Sequence, residues 1–177
     1  MATIVGIECA DGVLLAGDRT LATDGTIRST DKRHVFDLGA VGAAAVGEAG
    51  ALDTFSRELE AEVRQYRTER TDPVRIDPLA RMASSLSSST GAEALVAATD
   101  ADGAARLRVV YGDGSVVDDD RGALGSGAAL ALGQLDAAGD LTLAAAADLV
   151  DDLFAAVAER DPGTGTDVDV YRLASED

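Results

Sequence analysis

The chain has one cysteine, one histidine and one lysine in 177 residues. A lone Cys9 excludes an internal disulfide and any multi-cysteine metal site, and a single thiol of this kind is expected to pack as a small apolar side chain. His34 has no neighbouring histidine or cysteine to share a metal, so its expected role is structural, and no metal or cofactor site is expected. With Lys32 the only lysine and no basic cluster anywhere, the chain lacks the means to neutralise phosphates, which excludes nucleic acid as a partner. No run approaches the roughly 18 apolar residues of a membrane helix. The opening also lacks the charged start, apolar stretch and cleavage site of a signal peptide, so a cytoplasmic protein is expected.

Acid is what the chain has in quantity. Asp and Glu total 32 against 15 basic residues, for a net charge of −17. Such a surface keeps a protein hydrated and dispersed in concentrated salt. An acidic binding face is the functional alternative. The acidic, alanine-rich, lysine-poor composition resembles that of proteins from extreme halophiles such as haloarchaea.

The length fits one domain, residues 1–177, with no repeat, linker or low-complexity segment to divide it. Thr3–Cys9 and Gly12–Asp18 read as strands joined by a hairpin with Asp-Gly at its turn. The stretch "TDGTIRSTDKRH" reads as polar and turn-rich, and His34–Leu38 and Val41–Val46 as a second strand pair. Over Ala49–Arg70 the period becomes helical, with Leu52, Phe55, Leu59, Val63 and Tyr66 on one face. A second helix is expected with Asp77 as its cap and Pro78 in its first turn, carrying Leu79, Met82, Ala83 and Leu86 inward. Strands return at Ala94–Ala98, Arg106–Tyr111 and Ser115–Asp118. "RGALGSGAAL" reads as a glycine-rich link into a helix over Ala128–Asp136. Thr142 is placed to cap a last helix that buries Leu149, Leu153, Phe154 and Val157, and Val168–Leu173 closes the chain as a strand. Four strands, two helices, about three strands, two helices and one strand fit an α+β, four-layer αββα sandwich of two antiparallel sheets between helix pairs.

Isolated motifs carry little. The Gly125–Gly127 "GSG" lacks the outer spacing of a serine-nucleophile elbow and is weak evidence for a phosphate cradle. "DADG" and "VVDDD" lack the later ligands of a calcium loop.

Order and spacing carry more. "ATIVGI", "DGVLLAGDRT", "GEAGALDTFSRELEAEVRQYRTER", "LGSGAALALGQLDA" and "AVAERDPGTGTDVDVYRL" together resemble the proteasome β-subunit family and its HslV relatives, over almost the whole chain. That resemblance implies an N-terminal-nucleophile hydrolase fold and a threonine-type endopeptidase ancestry. In that chemistry a terminal threonine hydroxyl attacks a peptide carbonyl and its own α-amine accepts the proton. A lysine held by an acid lowers the pKa of the amine, and a glycine turn stabilises the oxyanion. Carried over by position, Asp18 matches the acid, Gly47 the oxyanion turn, Ser126 and Asp161 the supporting serine and aspartate, and Thr164 the last serine of that cluster.

The two central positions differ. Alignment through "VGI" puts Ala2 where the nucleophile belongs, and alignment through "DKRHVFDL" puts His34 at the lysine. The resemblance therefore implies a catalytically silent homologue that acts by assembly or binding. Its implied partners are copies of itself, as a ring or smaller homo-oligomer, and other proteasome-type subunits. Removal of Met1 before the small Ala2 is expected to leave an amine with no hydroxyl beside it. The alternative is an active peptidase using Thr3, which faces the opposite side of the strand from Ala2. A third reading is a small-ligand site or other amide chemistry built on Ser126, Thr164 and Asp161. If Asp18 and His34 have no catalytic role, they are expected to form a buried acid–imidazole pair.

Overall fold

A computed structural model describes all residues, 1–177, as eleven strands and four helices. Strands β1 (Thr3–Cys9) and β2 (Gly12–Asp18) form the centre of a four-stranded antiparallel sheet. Its outer strands are β10 (Arg121–Gly125), paired to β1, and β11 (Val168–Ala174), paired to β2. A five-stranded antiparallel sheet runs in the order β5 (Val35–Asp37), β6 (Gly42–Val46), β7 (Glu93–Thr99), β8 (Ala105–Val110) and β9 (Val116–Val117). Helices α1 (Ala49–Glu69) and α2 (Ile76–Thr90) cover this sheet, while α3 (Ala128–Ala137) and α4 (Leu143–Ala158) cover the other.

The alternation of buried side chains explains the layering. Ala2, just before β1, and Ile4 on it enter the cluster between the sheets with Val13, Leu15, Leu95 and Leu107. Val5 and Ile7 point the other way, against Leu153, Phe154 and Val157 of α4. Both faces of the sheet are thus buried, as period-2 side chains require when helices cover one face and a second sheet the other. A third cluster, including Leu52, Phe55, Leu59 and Leu79, fills the space between α1, α2 and the five-stranded sheet. The Tyr171 ring packs directly on the backbone at Gly42: a Cβ there would stand 2.3 Å from the ring. The Tyr171 hydroxyl meanwhile donates to the Gly39 carbonyl at 2.8 Å.

The αββα architecture agrees with the expectation from sequence, but three local readings need correction. The supposed loop after Asp18 contains a hairpin, β3 (Leu21–Thr23) and β4 (Thr26–Ser29), whose turn places Asp24 at φ +50° and Gly25 at φ +74°. Positive φ at both turn residues is what a tight two-residue hairpin demands. The glycine-rich link is the strand β10, recruited by β1 from Thr3↔Gly125 to Ile7↔Arg121. Six strands therefore precede the first helix pair and four lie between it and the second. Finally, Asp77 lies inside the first turn of α2; Arg75 is the N-cap residue, without a side-chain cap. Thr142 does cap α4, its hydroxyl accepting from the Ala145 N–H at 3.3 Å.

Candidate active site

The beginning of β1, the end of β2 and the loops before α3 and before β11 converge on residues 1–3. Ala2 is 1% exposed, its methyl group in the inter-sheet core. Gly125 explains how the loop closes over it. With φ at +99°, a Cβ there would stand 1.8 Å from the Ala2 carbonyl oxygen, so only glycine permits the approach. The next residue returns a bond from its backbone, with Ser126 N–H donating to that carbonyl at 3.3 Å.

Thr3 is fully buried and faces away from Ala2, toward the start of α3. Its Oγ1 accepts from the Gly127 N–H at 2.8 Å and lies 2.7 Å from the Thr164 Oγ1. Thr164 donates its own proton to Asp161 Oδ2 at 2.5 Å. A hydroxyl has one proton to give, so Thr3 donates to Thr164. The direction of the chain is therefore fixed: Gly127 N–H to Thr3, Thr3 to Thr164, Thr164 to Asp161. Ser126 Oγ approaches the same carboxylate oxygen at 2.6 Å and also the Met1 carbonyl. Burial pushes the Asp161 carboxyl up. Bonds from Ser126, Thr164 and the Gly163 N–H, with the terminal ammonium nearby, outweigh that and hold it below its ordinary range.

Asp18 anchors the other side. Its side chain is fully buried, and no lysine or arginine approaches it; three backbone N–H groups take the cation's place. Thr3 N–H donates to Oδ1 at 2.7 Å, and Thr20 and Gly165 N–H donate to Oδ2 at 2.9 and 2.8 Å. Both oxygens of the buried side chain are thus hydrogen-bonded without an ion pair. The expected acid–imidazole pair does not form in that sense. His34 Nδ1 lies 2.8 Å from the backbone carbonyl of Asp18, not from its carboxylate. Because a carbonyl only accepts, Nδ1 carries the proton and Nε2 holds the lone pair. Burial of His34, 2% exposed, pushes its pKa below the ordinary value, so the ring is neutral near pH 7.

Gly47, at φ +157°, closes the strand-to-helix turn before α1 and faces Met1 across a cleft of about 520 Å³. Leu21, Ala22 and Thr23 of β3 form its far wall, and Ala49 and Gly50 open α1 beside Gly47.

All the residues singled out from sequence thus gather at one end of the β1–β2 pair. Asp18, Thr3, Thr164, Asp161 and Ser126 are joined by hydrogen bonds, His34 touches Asp18 through its main chain, and Gly47 borders the cleft. Sequence reading missed Thr20 and Gly165, which act through backbone N–H groups that any residue type carries. It also missed the packing roles of Gly125 and Gly127. There a signal existed: glycines flanking a serine mark a close approach of backbone.

The family model for proteasome subunits matches residues 1–173. The chain is 31% identical over 184 residues to "Proteasome subunit beta 1" of Hyperthermus butylicus, covering 99% of this chain and 90% of that protein. It is 31% identical over 175 residues to "Proteasome subunit beta 1" of Ignicoccus hospitalis, covering 96% and 88%.

Proposed function

Because this chain belongs to the proteasome subunit family, we propose that it is a β-type subunit without peptidase activity, contributing to a multi-subunit particle by assembly or binding. The supporting observation is the state of the two residues that could act as nucleophile. Ala2, at the position the resemblance assigns to the nucleophile, has a methyl group. Thr3, the neighbouring hydroxyl, is fully buried and its proton is committed to Thr164. For Thr3 to act, residues 1 and 2 would have to be removed and its hydroxyl released from the Gly127 N–H and Thr164.

His34 supports the same reading. The lysine it replaces would place a cation beside the terminal amine. A neutral imidazole bonded to a main-chain carbonyl brings no such charge to that position. Asp18, Ser126, Asp161 and Thr164 remain, holding the β1 terminus to three neighbouring segments, and Gly47 keeps its turn. In this reading the former catalytic support survives as structure.

Family membership implies assembly into a particle of several subunits. We assign the partners to copies of this chain and to other proteasome-type subunits, in a cytoplasm of high salt. There the surface of a chain with net charge −17 is screened and interfaces between copies can form. Mass spectrometry of the mature N-terminus, combined with a fluorogenic-peptide assay on wild type and Thr3→Ala, tests the proposal. It holds if residue 2 is the terminus and neither protein cleaves. Cleavage by wild type that Thr3→Ala abolishes would establish the opposite, an active threonine peptidase that uses Thr3.

A further inference from the structure

Of the four edges of the two large sheets, β10, β11, β5 and β9, the longest is β11, with seven residues. The direction of its hydrogen bonds follows from the register. Arg19 N–H donates to the Asp167 carbonyl and Ser175 N–H donates to the Asp11 carbonyl, each at 3.0 Å. Between them β11 pairs with β2 in unbroken register, from Val168↔Asp18 to Ala174↔Gly12. In an antiparallel ladder the bonded pairs recur every second residue, so Asp169, Tyr171 and Leu173 bond to β2. The N–H and C=O groups of Val168, Val170 and Arg172 therefore point outward, along an edge where no other strand pairs. Val170 is 39% exposed. Beyond the strand, Glu176 N–H donates to Gly103, so the tail turns toward the β7–β8 connection and leaves the edge open.

A cleft lies on each face of this edge. On the helix side, α4 and the β1–β2 turn border one of about 500 Å³, which contains Asp11 and Asp148. On the inter-sheet side, β5 borders one of about 280 Å³, with Asp37 and Asp169. An added strand presents alternate side chains to the two faces, so a cleft on each side is the arrangement that strand addition uses. Asp169 is already paired with Arg19 at 3.0 Å; the remaining three carboxylates, Asp11, Asp37 and Asp148, outnumber the two guanidinium groups lining the clefts, Arg33 and Arg172, and the chain as a whole carries −17.

We propose that β11 is a docking edge for an extended, lysine- or arginine-bearing peptide segment of another protein, which adds antiparallel or parallel as a fifth strand of this sheet. Its backbone pairs with Val168, Val170 and Arg172, and its basic side chains reach the carboxylates of the two clefts. A second copy of this chain is a poorer occupant, because its own edge brings the same acidic residues against them.

The test is fluorescence anisotropy with a labelled octapeptide alternating valine and lysine. Val170→Pro removes an outward N–H and leaves the ladder to β2 intact, a change that edge strands tolerate. The expected result is saturable binding to wild type, weakened at least about tenfold by Val170→Pro and by replacing the peptide lysines with glutamates. N-methylation of alternate peptide residues should abolish binding on one set of positions only. That arm decides the matter even if Val170→Pro fails to fold. Binding indifferent to N-methylation, equal binding of the glutamate peptide, or no saturable binding would overturn the proposal. So would a wild-type dimer in sedimentation that Val170→Pro dissociates, which would assign the edge to self-association.

Discussion

Replacing Thr3 by valine keeps the shape of the side chain and removes its hydroxyl. The Gly127 N–H then has no acceptor in a buried site, and Thr164 loses one of its two hydrogen-bond partners while keeping Asp161. A buried donor left unpaired costs about 1–3 kcal/mol, and the lost hydroxyl–hydroxyl bond about 0.5–1.5 kcal/mol. Thr3→Val should therefore destabilise the fold by about 2–4 kcal/mol, measured by urea unfolding at constant high salt. The companion Thr164→Val should be non-additive with it, because the two changes remove one shared bond. The chain of donation from Gly127 to Asp161 would be wrong if Thr3→Val unfolded within about 0.5 kcal/mol of wild type, the range of ordinary surface substitutions.

Asp18→Ala strands the buried N–H groups of Thr3, Thr20 and Gly165 together, and should lower stability by about 3–5 kcal/mol or leave no folded protein to purify. His34, with its folded pKa pushed below an ordinary value of about 6.5, contributes fully above that pH. Its contribution is lost as pH falls toward the folded value, since the unfolded chain takes up the proton first, and urea midpoints between pH 7.5 and 5 should fall for wild type and less for His34→Gln. Asp161 acts in a lower window. Its depressed carboxyl stabilises the fold above an ordinary value of about 3.9, and that contribution disappears as pH drops through the folded value. Thermal midpoints should climb as salt rises from about 0.1 M to about 1 M and the Debye length shrinks from about 10 Å to about 3 Å. A midpoint that stays level would remove the high-salt assignment.

The layers were legible because each strand is read by both of its faces. In "TIVGI" and "GVLLAGD" every position before the closing Asp18 is apolar or small, which is the mark of a sheet buried on both sides. Helix α1 was equally plain, with its charged outer face. What escaped were elements defined by partners distant in sequence. Strand β10 is two-fifths glycine and has little propensity of its own; it is a strand because β1 offers it a ladder. The β3–β4 hairpin is exposed and polar, so no buried face announces it. At the site, side-chain positions could be read from spacing, but the acceptor role of Asp18 could not. Its donors are main-chain groups, and His34 reaches it through a carbonyl that every residue has.

The central claim is that the support for catalysis is present and the nucleophile is absent. Its most direct measurement is hydrolysis of fluorogenic peptides by wild type, by Thr3→Ala and by Ala2→Thr combined with His34→Lys, in high salt, after the N-terminal residue of each has been established by mass spectrometry. The account predicts no turnover by the first two and turnover gained by the double substitution, through a hydroxyl at residue 2 and a cation beside its amine. Turnover by wild type that Thr3→Ala removes would contradict it.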